Sequence, residues 1–262
     1  IQSHPGGCDA AGIAAVTDDS LSRKDHAMKK IAIVLLALLI AGVAVARDAT
    51  KLSTDLPRPA AERYLGDCVV GNPDIAGIQG YYGSWWWGYE NYAIPFNPMN
   101  EGCACGAGFS VKAVHMMLVL DEFTSISVQA ALLAAVDDGT GCLVPGAELY
   151  VSDPVYVSAL PLPDYYDIEI PMDAPCATVG ENYFMAFYFL DDNGGQQGGV
   201  GLAVDSSPTP CYTYNDWGSG WKDLVTDYGF AGDIVMWADI DCCEDPVANE
   251  NSTWGEMKNL FR

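Results

Sequence analysis

The sequence is poor in basic residues. Lys and Arg number 12 against 35 Asp and Glu in 262 residues, and the formal net charge at pH 7 is −23. A chain with this charge repels phosphate, which excludes nucleic acid and anionic membranes as partners. The acidity suits a calcium site, a basic protein partner or simple solubility in water.

Motifs of common hydrolases and nucleotide-binding enzymes are also missing. The sequence contains no G-x-S-x-G, no G-x-x-x-x-G-K and no H-E-x-x-H. His115 is the single histidine after residue 46, and it lies in an alternating apolar run, which is typical of a structural histidine in a sheet. We therefore expect no catalytic residues and no cofactor other than calcium. A polysaccharide-active enzyme is the most distant alternative.

One long apolar run is present, and it lies near the start. Lys29 and Lys30 precede sixteen apolar or Gly residues, which end in Ala44-Val45-Ala46. This pattern predicts a cleaved secretory signal at 28–46, and the run is too short for a stable membrane span. Residues 1–27, upstream of Met28, are expected to be untranslated upstream sequence. The product is expected to be secreted or held at a bacterial cell surface.

Cysteines are frequent after the predicted signal. Eight follow residue 46, and an even number in an exported chain predicts four disulfides. Neither Cys103 with Cys105 nor Cys242 with Cys243 has C-x-x-C spacing, which disfavours a zinc site. The two members of each pair are also too close in sequence to bond to each other. Cys142 with Cys176 is the first pairing we predict. The eight residues are Cys68, Cys103, Cys105, Cys142, Cys176, Cys211, Cys242 and Cys243.

Apolar and polar residues alternate over much of the later chain, which is typical of half-buried strands. Turn residues such as Asp137-Asp138-Gly139 separate the runs, although residues 130–136 also fit a helix. Short strands at this spacing predict an all-β, two-sheet, jelly-roll-like sandwich at 67–243, after a polar lead at 47–66. The predicted strands comprise one face with Phe109, Val111, Ala113, His115, Met117 and Val119, another with Ile126, Val128, Ala130, Leu132 and Ala134, and the ranges 147–152, 165–171, 183–190, 199–204, 211–214 and 233–240.

Aromatic residues are concentrated in residues 80–92, GYYGSWWWGYENY, and again at 217–221. Trp85 and Trp87 would point to one side of an extended chain, while Trp217 and Trp221 lie in a Gly-rich segment. Two interpretations are open. The rings plug the ends of the sandwich, or Trp85, Trp87, Trp217 and Trp221 form a platform that stacks on a sugar.

Two acidic turns are candidates for calcium. Asp191, Asp192 and Asn193 offer hard oxygen ligands, and Asp137 with Asp138 forms a second cluster. Neither matches the twelve-residue EF-hand loop. Solvated turn residues are the alternative interpretation.

The final segment follows an acidic linker at 244–252. Thr253 and Glu256 form a capping box, and the pattern predicts a short helical tail at 253–262. Trp254, Met257 and Phe261 would share one face of it. A helix of this length needs a surface to pack on, so we expect a docking peptide or a loose end.

Three segments resemble secreted bacterial β-sandwich domains of the "choice-of-anchor" type. They are VPGAEL at 144–149, GENYF at 180–184 and NDWGSGW at 215–221, within a region from Cys105 to Cys243. The tail is similar to one on exported proteins of uncultured bacteria. The resemblance implies an extracellular module without catalytic residues. We expect a non-catalytic structural or adhesion module that contacts a glycan or a surface or matrix protein, or that self-assembles; the alternative is a carbohydrate-binding module.

Overall fold

The computed structural model describes residues 52–54, 56–57, 67–83, 85–86, 88–106, 108–120, 125–157, 163–191 and 199–243. All of them belong to one compact unit, Asp48–Arg262. The predicted signal at 28–46, the linker at 244–252 and the tail at 253–262 lie outside the described residues. Within these ranges, no helix has the length and hydropathy of a membrane span.

The chain folds into strands, as its alternating pattern predicts. Residues 130–136 continue a strand and are not a helix. A short α-helix, α1, spans Leu224–Tyr228, capped by the Asp223 carboxylate and ended by Gly229 in the left-handed region, and a 3-10 turn spans Ile75–Gly77. The strands β1 to β14 are Cys68–Asn72, Gly80–Tyr82, Asn91–Phe96, Gly108–Leu120, Ile126–Asp137, Leu143–Val151, Val155–Val157, Asp164–Pro171, Ala177–Thr178, Tyr183–Phe189, Val200–Val204, Tyr214–Asp216, Lys222–Asp223 and Met236–Cys243.

Two antiparallel sheets contain these strands. The first has the order β1-β14-β4-β11-β2, with β8 and β9 also paired to the long central strand β4. The second has the order β13-β12-β3-β10-β5-β6, with β7 paired to β5. The all-β, two-sheet prediction is confirmed. The strand predicted at 211–214 is wrong in its position, because the observed strand β12 begins where that prediction ends.

The main core lies between the two sheets. Its buried side chains come from both inner faces, including Val114, Met116 and Leu118 of β4 and Met185 and Phe187 of β10. A second, smaller cluster covers the outer face of the first sheet. It contains Met117, Val119 and Trp237 together with the segment around Ile75 and Ile78. Both faces of the first sheet therefore carry buried apolar side chains.

A β-bulge in β4 explains why the six residues predicted to share one face of this strand lie on two faces. Val111 pairs with Ile240, but Ala113 pairs with Asp239, so Lys112 is the extra residue in β4. Phe109 and Val111 point into the main core as expected. After the bulge the alternation is reversed, and Ala113, His115, Met117 and Val119 lie on the opposite face from them.

Four disulfides join the eight cysteines, as predicted from their even number. The predicted pair of Cys142 with Cys176 is wrong, because Cys142 bonds to Cys211 and Cys176 bonds to Cys243. Both close doublets bond elsewhere, as their spacing requires. The bonds are Cys68–Cys103, Cys105–Cys242, Cys142–Cys211 and Cys176–Cys243.

Candidate functional site

The aromatic stretch after β2 fills the core. Trp85 has no exposed surface, and its ring packs edge-on against Phe230 at 4.8 Å between centroids. Trp86 is also buried and packs against Phe189. The prediction of Trp85 as a sugar-stacking residue is therefore corrected, because a fully buried ring offers no face to a ligand. Trp87 lies outside the described residues.

Trp217 and Trp221 lie in one turn but pack on different parts of the domain. Trp217 is 36 % exposed and contacts Tyr228 at 5.2 Å between ring centroids, and Tyr228 in turn contacts Trp85. Trp221 is half-buried and packs against the outer face of the second sheet. The three predicted rings that the structure describes therefore do not form one platform: Trp85 is buried in the core, Trp217 packs on Tyr228, and Trp221 packs on the outer face of the second sheet.

The outer face of the second sheet has a floor of small residues. Ala93, Ala186 and Ala131 are direct neighbours across β3, β10 and β5, and all three are buried. Tyr188 and Trp221 are among the larger side chains packed against this cluster. The three alanines have no exposed surface, so these larger side chains cover them and form the outer surface at this place.

A row of polar side chains runs beside the alanines. Asp216, Asn91, Tyr188 and Gln129 pair in register across β12, β3, β10 and β5, one residue per strand. On β3, β10 and β5 the polar residue lies two positions from the alanine of the same strand, and on β12 Asp216 lies two positions from Tyr214, which pairs with Ala93. Residues two positions apart on a strand point to the same side, so all four project from the outer face. All four are half-buried. At the spacing of neighbouring strands, the row spans roughly 14 Å. We call this set, with Trp221, the polar row.

Hydrogen bonds hold the polar row in place. The Tyr188 hydroxyl donates to Glu148 Oε1 at 3.0 Å, and Gln129 Nε2 donates to the Ser152 carbonyl at 2.8 Å. Burial, and then the Glu148 carboxylate, raise the pKa of Tyr188, so its phenol stays protonated and acts as a donor. The row therefore presents fixed donors and acceptors beside aromatic rings.

The turn between β12 and β13 places Trp221 at one end of the row. Asp216 Oδ1 accepts hydrogen bonds from the N–H groups of Gly218 and Gly220, at 2.7 and 2.9 Å. Both glycines have a positive φ, which favours glycine at these positions. Asn215 pairs with Lys222, so continuing the ladder brings Trp221 opposite Asp216.

The turn of the β5–β6 hairpin covers the part of the same outer face that lies away from the polar row. The Tyr214 hydroxyl donates to the Leu143 carbonyl at 2.7 Å, and the disulfide of Cys142 with Cys211 ties the hairpin to the segment before β12. Leu143 and Val144 pack onto the cluster below. The hairpin and the polar row therefore occupy different parts of this face.

The described carboxylates of the acidic turns accept hydrogen bonds from backbone N–H groups. Asp191 accepts a hydrogen bond from the Ser127 N–H, while Asp192 and Asn193 lie outside the described residues. Asp137 and Asp138 accept hydrogen bonds from Gly139 and Thr140 in their own turn, and those from Thr140 lower the pKa of Asp138. Within the described ranges, no group of three or more His, Cys, Asp or Glu side chains is arranged to hold a metal ion.

His115 lies on the outer face of the first sheet and has carboxylate partners. Its Nδ1 lies 3.0 Å from Asp167 Oδ2, and its Nε2 lies 3.7 Å from Asp239 Oδ2. The residue is 5 % exposed. Burial, the largest single influence, lowers its pKa, but the two carboxylates outweigh burial and raise the pKa to about 9. This buried ion cluster supports the sequence interpretation of a structural histidine.

Residues 83–240 match a family described as Domain of unknown function (DUF7451). The chain belongs to this family. The matched region includes every member of the polar row, and Cys242 and Cys243 lie just beyond its end, after Asp241. A comparison with curated proteins finds no match.

Among solved structures, the chain is similar to the crystal structure of the cysteine protease and lectin-like domains of Cwp84, a surface layer associated protein of Clostridium difficile. The match has 11 % identity and a TM-score of 0.40. It covers 60 % of this chain and 32 % of that chain, so the matched part is about a third of the other protein's length. A likeness this distant supports neither a shared mechanism nor a shared ligand.

Sequence reasoning identified Trp221 but missed the rest of the polar row. Asn91, Gln129 and Tyr188 are separated in the sequence and have no motif in common. Only the strand register brings them together. A signal was present in Ser127 and Gln129, which alternate with apolar residues at the start of β5, but it did not identify the partner strands.

Proposed function

We propose that the chain is a non-catalytic extracellular module that binds carbohydrate through the polar row on the outer face of the second sheet. The observation that carries this proposal is the alignment of Asp216, Asn91, Tyr188 and Gln129 across four strands, with Trp221 at one end. Adhesion to a glycan-bearing surface is the role that follows.

The chemistry of the polar row suits a sugar. Hydroxyl groups of a saccharide both donate and accept hydrogen bonds; the row offers the carboxylate and phenol oxygens as acceptors and the amides of Asn91 and Gln129 as donors and acceptors. The faces of Tyr188 and Trp221 suit the apolar C–H face of a sugar ring.

An extracellular location is part of the proposal. Four disulfides persist in oxidising compartments and are rare in the cytosol. The excess of acidic residues supports neutral glycans or basic protein surfaces as partners over anionic polymers. These features suit a module displayed or released outside the cell.

A matched pair of substitutions tests the site. Trp221→Ala removes the ring beside the polar row, and Trp217→Ala removes a ring of the same type from the same turn that packs instead on Tyr228. Both variants and the native chain are applied to a glycan array after their melting temperatures are measured. We expect the native chain and Trp217→Ala to retain the same glycans and Trp221→Ala to lose them.

The polar side chains provide the second arm of this experiment. Asn91→Ala and Gln129→Ala should each weaken retention of the same glycans, because each removes hydrogen-bonding groups from the row. Equal retention by the native chain and by all row variants would place any glycan site elsewhere. Absence of retention by the native chain would remove the carbohydrate proposal itself.

A further inference from the structure

An open groove lies at the edge of the second sheet, away from the polar row. It has a volume of about 450 Å³ and shares no lining residue with the row. Leu132 and Leu149 contribute apolar surface from β5 and β6, and Pro175 and Ala177 face them from the β9 segment. Leu149 is 50 % exposed, so part of this apolar surface is uncovered.

The rim of the groove is polar and acidic. Glu181 and Asn182, in the turn before β10, line it together with Thr178. The Tyr183 hydroxyl lies 3.0 Å from Thr178 Oγ1 and donates to Glu181 Oε2 at 3.3 Å, which fixes this side of the groove. An apolar floor with an acidic rim suits an amphipathic segment that carries basic residues.

The chain leaves the described fold beside this groove. Cys176 lines the groove and is bonded to Cys243, the last described residue, with 6.2 Å between their Cα atoms. Residues 244–252 then separate Cys243 from Thr253. Nine residues extend to about 30 Å at most, so residues 253–262 are within reach of every part of the groove.

Residues 253–262 carry side chains that complement the apolar floor and the acidic rim of the groove. Trp254, Met257 and Phe261 are spaced for one face of a helix, and a helix this short needs a packing surface. Lys258 and Arg262 add two positive charges in a chain of strongly negative net charge. Their charge is opposite to that of Glu181 at the rim.

We propose that residues 253–262 of the same chain dock into this groove, with Trp254, Met257 and Phe261 on Leu149 and its apolar neighbours and with Lys258 near Glu181. The docked segment covers the exposed side chain of Leu149. This docking does not depend on the carbohydrate face, because the groove and the polar row have no residue in common.

Photo-crosslinking of the full chain tests the docking. A benzoylphenylalanine side chain replaces Leu149, and the matched control carries it at Tyr156, which is 67 % exposed and does not line the groove. After irradiation, the monomer band is digested and sequenced by mass spectrometry. We expect crosslinks from position 149 to residues 253–262 within one chain, and none to that segment from position 156.

Substitutions in the segment complete the experiment. Trp254→Ala combined with Phe261→Ala should abolish the crosslink from position 149, and Glu181→Gln should reduce it more at low salt than at high salt. Each variant is first checked for the absence of free thiols, which reports the four intact disulfides. A crosslink only between two chains would overturn the proposal in favour of a second copy as the occupant. A monomer without crosslinks to residues 253–262 would overturn it as well.

Discussion

The imidazole of His115 stacks on the indole of Trp237, with 4.8 Å between ring centroids and an interplanar angle of 6°. Asp167 of β8 and Asp239 of β14 lie at the two ring nitrogens. Three strands of the first sheet therefore meet at one ion cluster on the outer face. Because the charge on His115 stabilises this cluster, its protonation is linked to folding.

The first prediction is a loss of stability above neutral pH. The pKa of His115 is raised from 6.5 to about 9 in the folded chain. Its contribution is therefore fully present below pH 6.5 and is lost as the pH rises through about 9. Urea unfolding at several pH values should show the free energy of unfolding falling in this window. His115→Gln should flatten that fall, and an unchanged slope in the variant would assign it to other groups.

Asp233 gives the second prediction, in a lower pH range. Burial raises its pKa from 3.8 to about 6, against hydrogen bonds from Thr209 that lower it. The ionised form is therefore disfavoured in the folded chain, and the free energy of unfolding should fall as the pH rises through about 6. Asp233→Asn keeps an acceptor for Thr209 and Thr213 and should gain stability relative to the native chain at pH 7 but not at pH 4. Equal differences at both pH values would contradict the prediction.

The third prediction separates the core tryptophan from the turn tryptophan. Trp85 is fully buried, so Trp85→Ala should cost about 3–5 kcal/mol of unfolding free energy. Trp217 is 36 % exposed and packs on Tyr228, so Trp217→Ala should cost about 1 kcal/mol. Thermal and urea unfolding of both variants measure these values. Similar losses for the two would show that the turn is as tightly packed as the core.

The fourth prediction concerns the hairpin that covers the outer face of the second sheet. Replacing Cys142 and Cys211 together by Ser should lower the free energy of unfolding by about 2–4 kcal/mol, because the bond closes a long loop in the unfolded chain. Tyr214→Phe removes the hydrogen bond to Leu143 but keeps the disulfide, and it should cost about 1 kcal/mol. Unchanged stability of the double variant under oxidising conditions would contradict the prediction.

Much of the fold was predictable, because period-two alternation and turn residues are local signals. The strands at 126–134 and 183–190 follow directly from them. The bulge at Lys112 was not predictable, because it depends on the register with β14. The prediction of a disulfide partner for Cys142 failed for the same reason. The even number of cysteines is visible in the sequence, but the partner of Cys142 depends on a hairpin that folds over a distant strand.

The adjacent cysteines at the end of β14 determine how the domain responds to a mechanical pull. Cys242 is bonded to Cys105 and Cys243 to Cys176, so each is covalently fixed to a different segment. Tension applied to the chain beyond Cys243 meets these covalent bonds before it reaches the hydrogen bonds between β14 and β4. The sheet is therefore protected from unzipping at that end while the bonds are intact. Reduction would expose the same hydrogen bonds to the force one pair after another, so resistance to tension depends on the redox state of the surroundings.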